Sequence, residues 1–386
     1  MFTLGDQPLA NAFLTPEQID EPEPRYPLVV RECADCGIIQ LKHVINAASM
    51  FSDYAFVTGI SQGMTAHFAE LMRENIDWHV PPGGLVVEIG SNDGTALASI
   101  ASHDVRRLGI DPAVNLSDIA RSRGVPAVAQ FFTETLAEQV VAIHGQASLI
   151  VACNVLGHID DLDDVLRGVR HLLSPKGAFV IEVPCANWLI SRTEYDTIYH
   201  EHLSYFAVKP LSALVARHGL KITRVESQEV HGGSIRVTVQ HGIGHTHAVV
   251  PWFQGDSIPR DWVAFRQRCE DTREHLVGWL TRARDDGRTV FGYGASAKAT
   301  VRLNYCGVST DLMPSIVDST PGKQGRFVPG TRQSIHDPSV IDTLRPSDVL
   351  ILAWNHNLEI RPKLAQYVAS GGRVASLTTT GRLNHA

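Results

Sequence analysis

The segment LVVEIGSNDGTAL (85–97) limits the possible folds of this chain more than any other stretch. An apolar run broken only by Glu88 ends at Gly90, and a second glycine, Gly94, precedes the next apolar residues. A short apolar run closed by a glycine turn reads as a strand buried on both faces, the kind found in parallel sheets covered by helices.

The following residues extend this theme. RRLGID (106–111), ASLIVACNV (147–155) and AFVIEVP (178–184) read as further buried strands. Helical spacing marks 60–78, and again 160–173 through Leu162, Val165, Leu166, Val169, Leu172 and Leu173, with a stop at residues 175–177, Pro-Lys-Gly. Strands alternating with helices predict an α/β doubly wound sheet. A charge-rich helix over 260–285 then leads to four apolar runs, 289–294, 315–318, 348–354 and 373–378. They predict a second, shorter parallel sheet whose first strand also ends in a glycine turn, Gly292–Gly294. Ahead of both, Pro-rich turns and a short apolar alternation around Cys33 and Cys36 read as a small β-hairpin module. The expected division is 1–48, 49–225 and 226–386, which suits a chain of 386 residues.

Charge and composition remove several function classes. The net charge is −7 with no Lys/Arg stripe, so a nucleic-acid groove is not expected. No run of 18 apolar residues predicts a membrane span, and the N-terminus lacks the pattern of a secretory signal. The six cysteines are scattered, which fits a reducing cytoplasm.

Two constellations carry chemistry. The first is the glycine turn itself: Glu88, Gly90, Asn92 and Gly94, with Asp111 placed 23 residues after Glu88 to accept from ribose hydroxyls. The dinucleotide spacing G-x-G-x-x-G is absent, which favours a ligand without a pyrophosphate. Asn154, at the tip of a strand, belongs to the same crevice. The second constellation is TIYHEHLSYF (197–206), with Tyr199, His200, Glu201, His202, Ser204 and Tyr205 in seven positions. Burying so many polar groups for packing alone is costly, and histidine is the natural base near neutral pH. The HEH spacing does not match the i, i+4 pair of helical zinc sites, so no metal is expected there.

The strand, helix and PKG turn before FVIEVP resemble the back half of class I methyltransferases, which implies S-adenosylmethionine (SAM) as cofactor. The same resemblance places Phe131 and Phe132 beside the adenine, with two core aromatics as the alternative reading. Over nearly the whole chain, LGDQPLANAFL, YPLVVRECADCGIIQL, VVEIGSNDGTAL, CNVLGHIDD, YHEHLSYF, HGGSIRV, GYGASAKA, DSTPGKQGRFVPG and AWNHNLE resemble the deoxysugar C-methyltransferases. That resemblance implies a nucleotide-linked keto-sugar substrate, of the dTDP type, deprotonated beside its ketone. It makes His202 the base, with Tyr199, Glu201 and His158 as active-site partners. It gives Ser296 and Lys298 to the diphosphate, with Asn304 and Lys323 beside them, and His231 and Arg236 to a cleft between domains.

The family's N-terminal zinc site uses two C-x2-C pairs. Only Cys33 and Cys36 are present, and two thiolates do not close a tetrahedral site, so no stable zinc is expected. Either the site is absent from this protein or the given sequence begins late. The family's Tyr-x-Tyr segment is also altered, to Tyr54 and Phe56, which leaves the substrate open. The competing readings are a methyltransferase of the same architecture acting on another carbon or heteroatom, a non-catalytic sugar-nucleotide binder, and an oxidoreductase.

Overall fold

The computed structural model describes residues 1–46, 50, 58–230, 232–244, 249, 251–252, 260–377 and 383–385. Its N-terminal module contains strands β1 (Phe2–Gln7), β2 (Tyr26–Glu32) and β3 (Ile39–Leu41), joined antiparallel. Helix α1 (Gln62–His79) begins the next layer, capped by Ser61, whose Oγ accepts from the Met64 amide.

The central sheet uses β4 (Gly84–Ile89), β5 (Val105–Ile110), β6 (Ala127–Val128), β7 (Ala147–Cys153) and β8 (Leu173–Pro184) as parallel strands. Between them run α2 (Thr95–Ala98), α3 (Val114–Ser122), α4 (Glu134–His144) and α5 (Leu162–Leu172). In β4, Leu85, Val87 and Ile89 enter one apolar core and Val86 the opposite one, the two-sided burial expected of its sequence. The expected turn at residues 175–177 is instead part of β8. The register against β7 shifts between Ala147 and Leu149, and this irregularity absorbs the Pro-Lys-Gly step at the strand's start.

A further short strand, β9 (Ser204–Tyr205), does not join this sheet; it pairs with β3 as the fourth strand of the N-terminal module. The sheet is completed by β10 (Leu220–Gln228) and β11 (Ser234–His241), in the order β10-β11-β8-β7-β4-β5-β6, with β11 antiparallel to both its neighbours. This seven-stranded order with one reversed strand is the class I methyltransferase arrangement. The expected boundary at 225 falls inside β10, and HGGSIRV supplies β11 to the first sheet. Both strands differ from the uniformly apolar runs of the parallel strands, because each carries polar residues along its length.

Helix α6 (Trp262–Asp285) leads into a second α/β layer. Strands β12 (Val290–Tyr293), β13 (Ser315–Val317), β14 (Ser334–His336), β15 (Asp348–Ile351) and β16 (Arg373–Leu377) are parallel, with β17 (Leu383–His385) antiparallel at the edge. After β12 the chain turns through Gly294 into α7 (Ala297–Cys306). Among the described residues, no helix is long and apolar enough to cross a membrane.

Candidate active site

The glycine turn after β4 is held by its own polar groups. Gly90 and Gly94 have φ of 71° and 73°, and a Cβ at either would press into Val155 or Ala120. Asp111 accepts from the amides of Asn92 and Ala113, both at 2.9 Å. Asn92 accepts from the Thr58 amide at 3.0 Å, and Asp93 accepts from the Gly59 amide at 3.1 Å and from Arg123 at 2.6 Å. Asp93 was not singled out from the sequence. The adjoining Gly94 was the available signal in the sequence, and the full burial of the Asp93 carboxylate emerges only with the fold.

At the centre of this turn Glu88 is 5% exposed, and its Oε2 meets no hydrogen-bond donor among the described residues. Burial, together with Asp111 and Asp93, pushes its carboxyl well above the ordinary range; burial also raises Asp111. A buried, crowded pair of acids calls for a cation and for hydroxyl donors. SAM, with its ammonium group and ribose diol, fits this donor-poor, acid-rich crevice.

A pocket at the carboxyl ends of β7 and β8 brings together Asn154, Gly157, His158, Val183, Pro184, His202, Ser204, Tyr205 and Phe206. His202 donates from Nδ1 to the Thr197 carbonyl at 2.8 Å, so this tautomer carries its lone pair on Nε2. Its ring lies 3.9 Å from that of Tyr199 and 4.8 Å from that of His158. His158 donates from Nδ1 to the Glu201 carbonyl at 2.7 Å. Burial lowers its pKa to about 4, so the ring is neutral at pH 7. Asn154 has φ of 55°, a strained conformation that turns the chain out of β7.

The three members of HEH diverge. His202 faces the pocket, while His200 turns to the Tyr26 carbonyl at 3.2 Å. Both Glu201 oxygens accept from the Asn11 amide group, at 2.8 and 2.9 Å, so the N-terminal module grips the loop that carries His202 directly. Asn11 is a second residue the sequence reading missed. Its partner lies 190 positions away, and only its place in LANAF marked it.

Several expected ligand contacts have other duties. Phe132 packs in the core against Gly168, and Phe131 is exposed. Arg236 sits opposite Glu182 across β8 and β11, donating to it at 3.0 Å, beside His67. The Ser296 hydroxyl caps α7 by accepting from the Ala299 amide. Lys298, 9% exposed, donates to Thr197 Oγ1 at 2.6 Å and lies 4.8 Å from the Trp354 ring centre, joining the two α/β layers. Asn304 donates to the Thr300 and Pro329 carbonyls, and Lys323 to the Ala295 carbonyl. At Gly292 and Gly294 a Cβ would strike Leu352 and Ala353, so these glycines serve sheet packing. Tyr54 and His231 lie outside the described residues.

The hairpin holding Cys33 and Cys36 is clamped from outside. Arg260 donates to Glu32 and to the Gly37 carbonyl, and the Trp262 indole donates to Glu32 at 2.8 Å. Among the described residues, no three His, Cys, Asp or Glu side chains gather as metal ligands. Two thiols alone do not fit a tetrahedral zinc centre.

Comparison with known proteins gives three family matches: a zinc binding domain over residues 1–51, a methyltransferase domain over 64–225 and a C-methyltransferase C-terminal domain over 229–377. The C-methyltransferase NovU of Streptomyces niveus is 34% identical over 381 residues, covering 96% of this chain and 90% of that protein. Among solved structures, the CcbJ methyltransferase of Streptomyces caelestis matches at 13% identity with a TM-score of 0.40, over 51% of this chain and 100% of that one. A SAM-dependent methyltransferase of Clostridium acetobutylicum matches at 13% identity and a TM-score of 0.37, over 46% and 92%.

Proposed function

Because the chain belongs to the SAM-dependent sugar C-methyltransferase family, we propose that it methylates a carbon next to the ketone of a nucleotide-linked 4-keto-deoxysugar, with His202 as the base. It is a SAM-dependent C-methyltransferase. The observation that carries the finer reading is His202, fixed through Nδ1 to the Thr197 carbonyl in a pocket at the same sheet edge as the glycine turn.

When bound, SAM supplies an electrophilic methyl group on a sulfonium. Glu88 and Asp111 would hold its ammonium and its ribose. The chain's own work is to prepare the nucleophile. His202 Nε2 takes the proton from the carbon beside the ketone, and the C–H electron pair moves toward the carbonyl oxygen. Thr197 holds the ring in the required tautomer, Tyr199 packs against its face, and neutral His158 fixes the Glu201 backbone beside it. The nucleotide end of the substrate, of the dTDP type, rests on family membership. The cytoplasm is the proposed place of action, consistent with six cysteines that form no disulfide with one another.

Methyl-labelled SAM and candidate keto-sugar nucleotides provide the test. The label is expected on a ring carbon, with His202→Ala lowering turnover by orders of magnitude while SAM affinity holds. Label on oxygen or nitrogen, or full turnover in the variant, would overturn the reading.

A further inference from the structure

Resting on that reading, the geometry points to Tyr205 as the hydrogen-bond donor that stabilises the enolate oxygen. Removing a proton beside a ketone places negative charge on the former carbonyl oxygen. In a desolvated pocket that charge needs a donor already in place. His202 takes the proton and therefore cannot also supply this stabilisation at the start of the step.

Tyr205 lines the same pocket, with its ring centre 6.1 Å from that of His202 in an edge-on arrangement. The side chain is 4% exposed, and its hydroxyl finds no acceptor among the described residues. A buried hydroxyl that gives its proton to nothing costs stability, and such groups in native structures call for an explanation. A substrate oxygen arriving between Tyr205 and His202 supplies the missing acceptor.

Its backbone also suits this task. Tyr205 belongs to β9, and Ile39 of β3 pairs with it in register. The phenol is therefore carried on a strand that the N-terminal module fixes, while the base sits on the loop just before it. Burial keeps the phenol protonated, its pKa raised well above the ordinary value, so it donates a hydrogen bond without losing the proton. The electron pair released from carbon rests on the substrate oxygen, the carbon proton rests on His202, and the Tyr205 O–H bond stays intact.

The test uses the full chain in D2O with a keto-sugar nucleotide it methylates, SAM omitted, following loss of the proton beside the ketone by NMR. Wild type is expected to exchange it and His202→Ala to abolish exchange. Tyr205→Phe is expected to slow exchange by about 10²- to 10³-fold, the usual cost of losing one such donor. The lost hydroxyl donates to nothing among the described residues and is reached by the Tyr199 amide, so the variant should stay folded with at most a small fall in melting temperature, whereas a merely structural role would leave exchange in the folded variant at the wild-type rate. Exchange at the wild-type rate in Tyr205→Phe overturns the role of Tyr205 and leaves the proposed function standing. Absence of exchange in wild type overturns the proposed function and this assignment with it. If Tyr205→Phe folds poorly, 3-fluorotyrosine at position 205 keeps the ring shape while changing donor acidity; an unchanged exchange rate there also overturns the assignment.

Discussion

Glu88 shows how a single buried acid couples cofactor binding to protonation. Its carboxyl is raised well above the ordinary range by burial and by Asp111 and Asp93. A ligand cation beside it favours the charged form, so binding releases a proton. SAM affinity is therefore expected to rise with pH through the raised pKa of the empty site, and calorimetry in buffers of different ionisation enthalpy should detect the released proton. In Glu88→Gln this proton release should disappear, with affinity falling roughly 10-fold or more, as for loss of one charge-assisted contact. His158 has the opposite sign. Its depressed pKa, about 4, means the native state refuses a proton that the unfolded chain accepts near 6.5. Its contribution to stability is present above that unfolded value and is lost as pH falls toward 4. His158→Asn should flatten this limb relative to wild type in acid-unfolding curves.

Among the elements, the N-terminal module explains how a loop with no regular structure holds a catalytic geometry. Asn11 grips Glu201, Tyr26 receives His200, and β3 binds β9 on the far side of His202. Asn11→Ala removes the amide nitrogen that donates to both oxygens of a buried carboxylate, a loss of about 1–3 kcal/mol. Steady-state kinetics should show kcat falling about tenfold with SAM affinity unchanged. The module itself depends on the Arg260 and Trp262 clamp, so a chelator is expected to leave both melting temperature and turnover as they were. A fall in either would show that the chain holds a metal. The parallel strands were legible in the sequence because both their faces are apolar, and the catalytic loop because so many polar groups crowd together. The pair β10 and β11 was missed although β11 alternates polar and apolar residues as strands do; what the sequence did not show is that the two join the first sheet, with β11 reversed between β10 and β8. The duties of Lys298 and Arg236 were equally hidden: a buried cation and a ligand-binding cation look the same until the acid, hydroxyl or ring beside it is known.

At the level of the whole molecule, Lys298 ties the two α/β layers together. Its ammonium reaches Thr197, whose carbonyl orients His202, and it lies near the acids Glu194 and Asp196. Lys298→Met should cost about 3–5 kcal/mol, as breaking a buried charge arrangement does, and lower the melting temperature measurably. It should also reduce turnover, because the same joint supports the base. The N-terminal module touches both layers as well: it holds the catalytic loop, and Leu14 bridges to Phe327. The partner of Asn11 lies 190 positions later in the chain and that of Tyr26 lies 174 positions later. A ribosome releases the module long before it releases Glu201, Tyr205 or Phe327. The module must therefore wait, partly unsatisfied, until the loop it holds has been made. The surroundings of His202 are completed only when segments far apart in the chain have met.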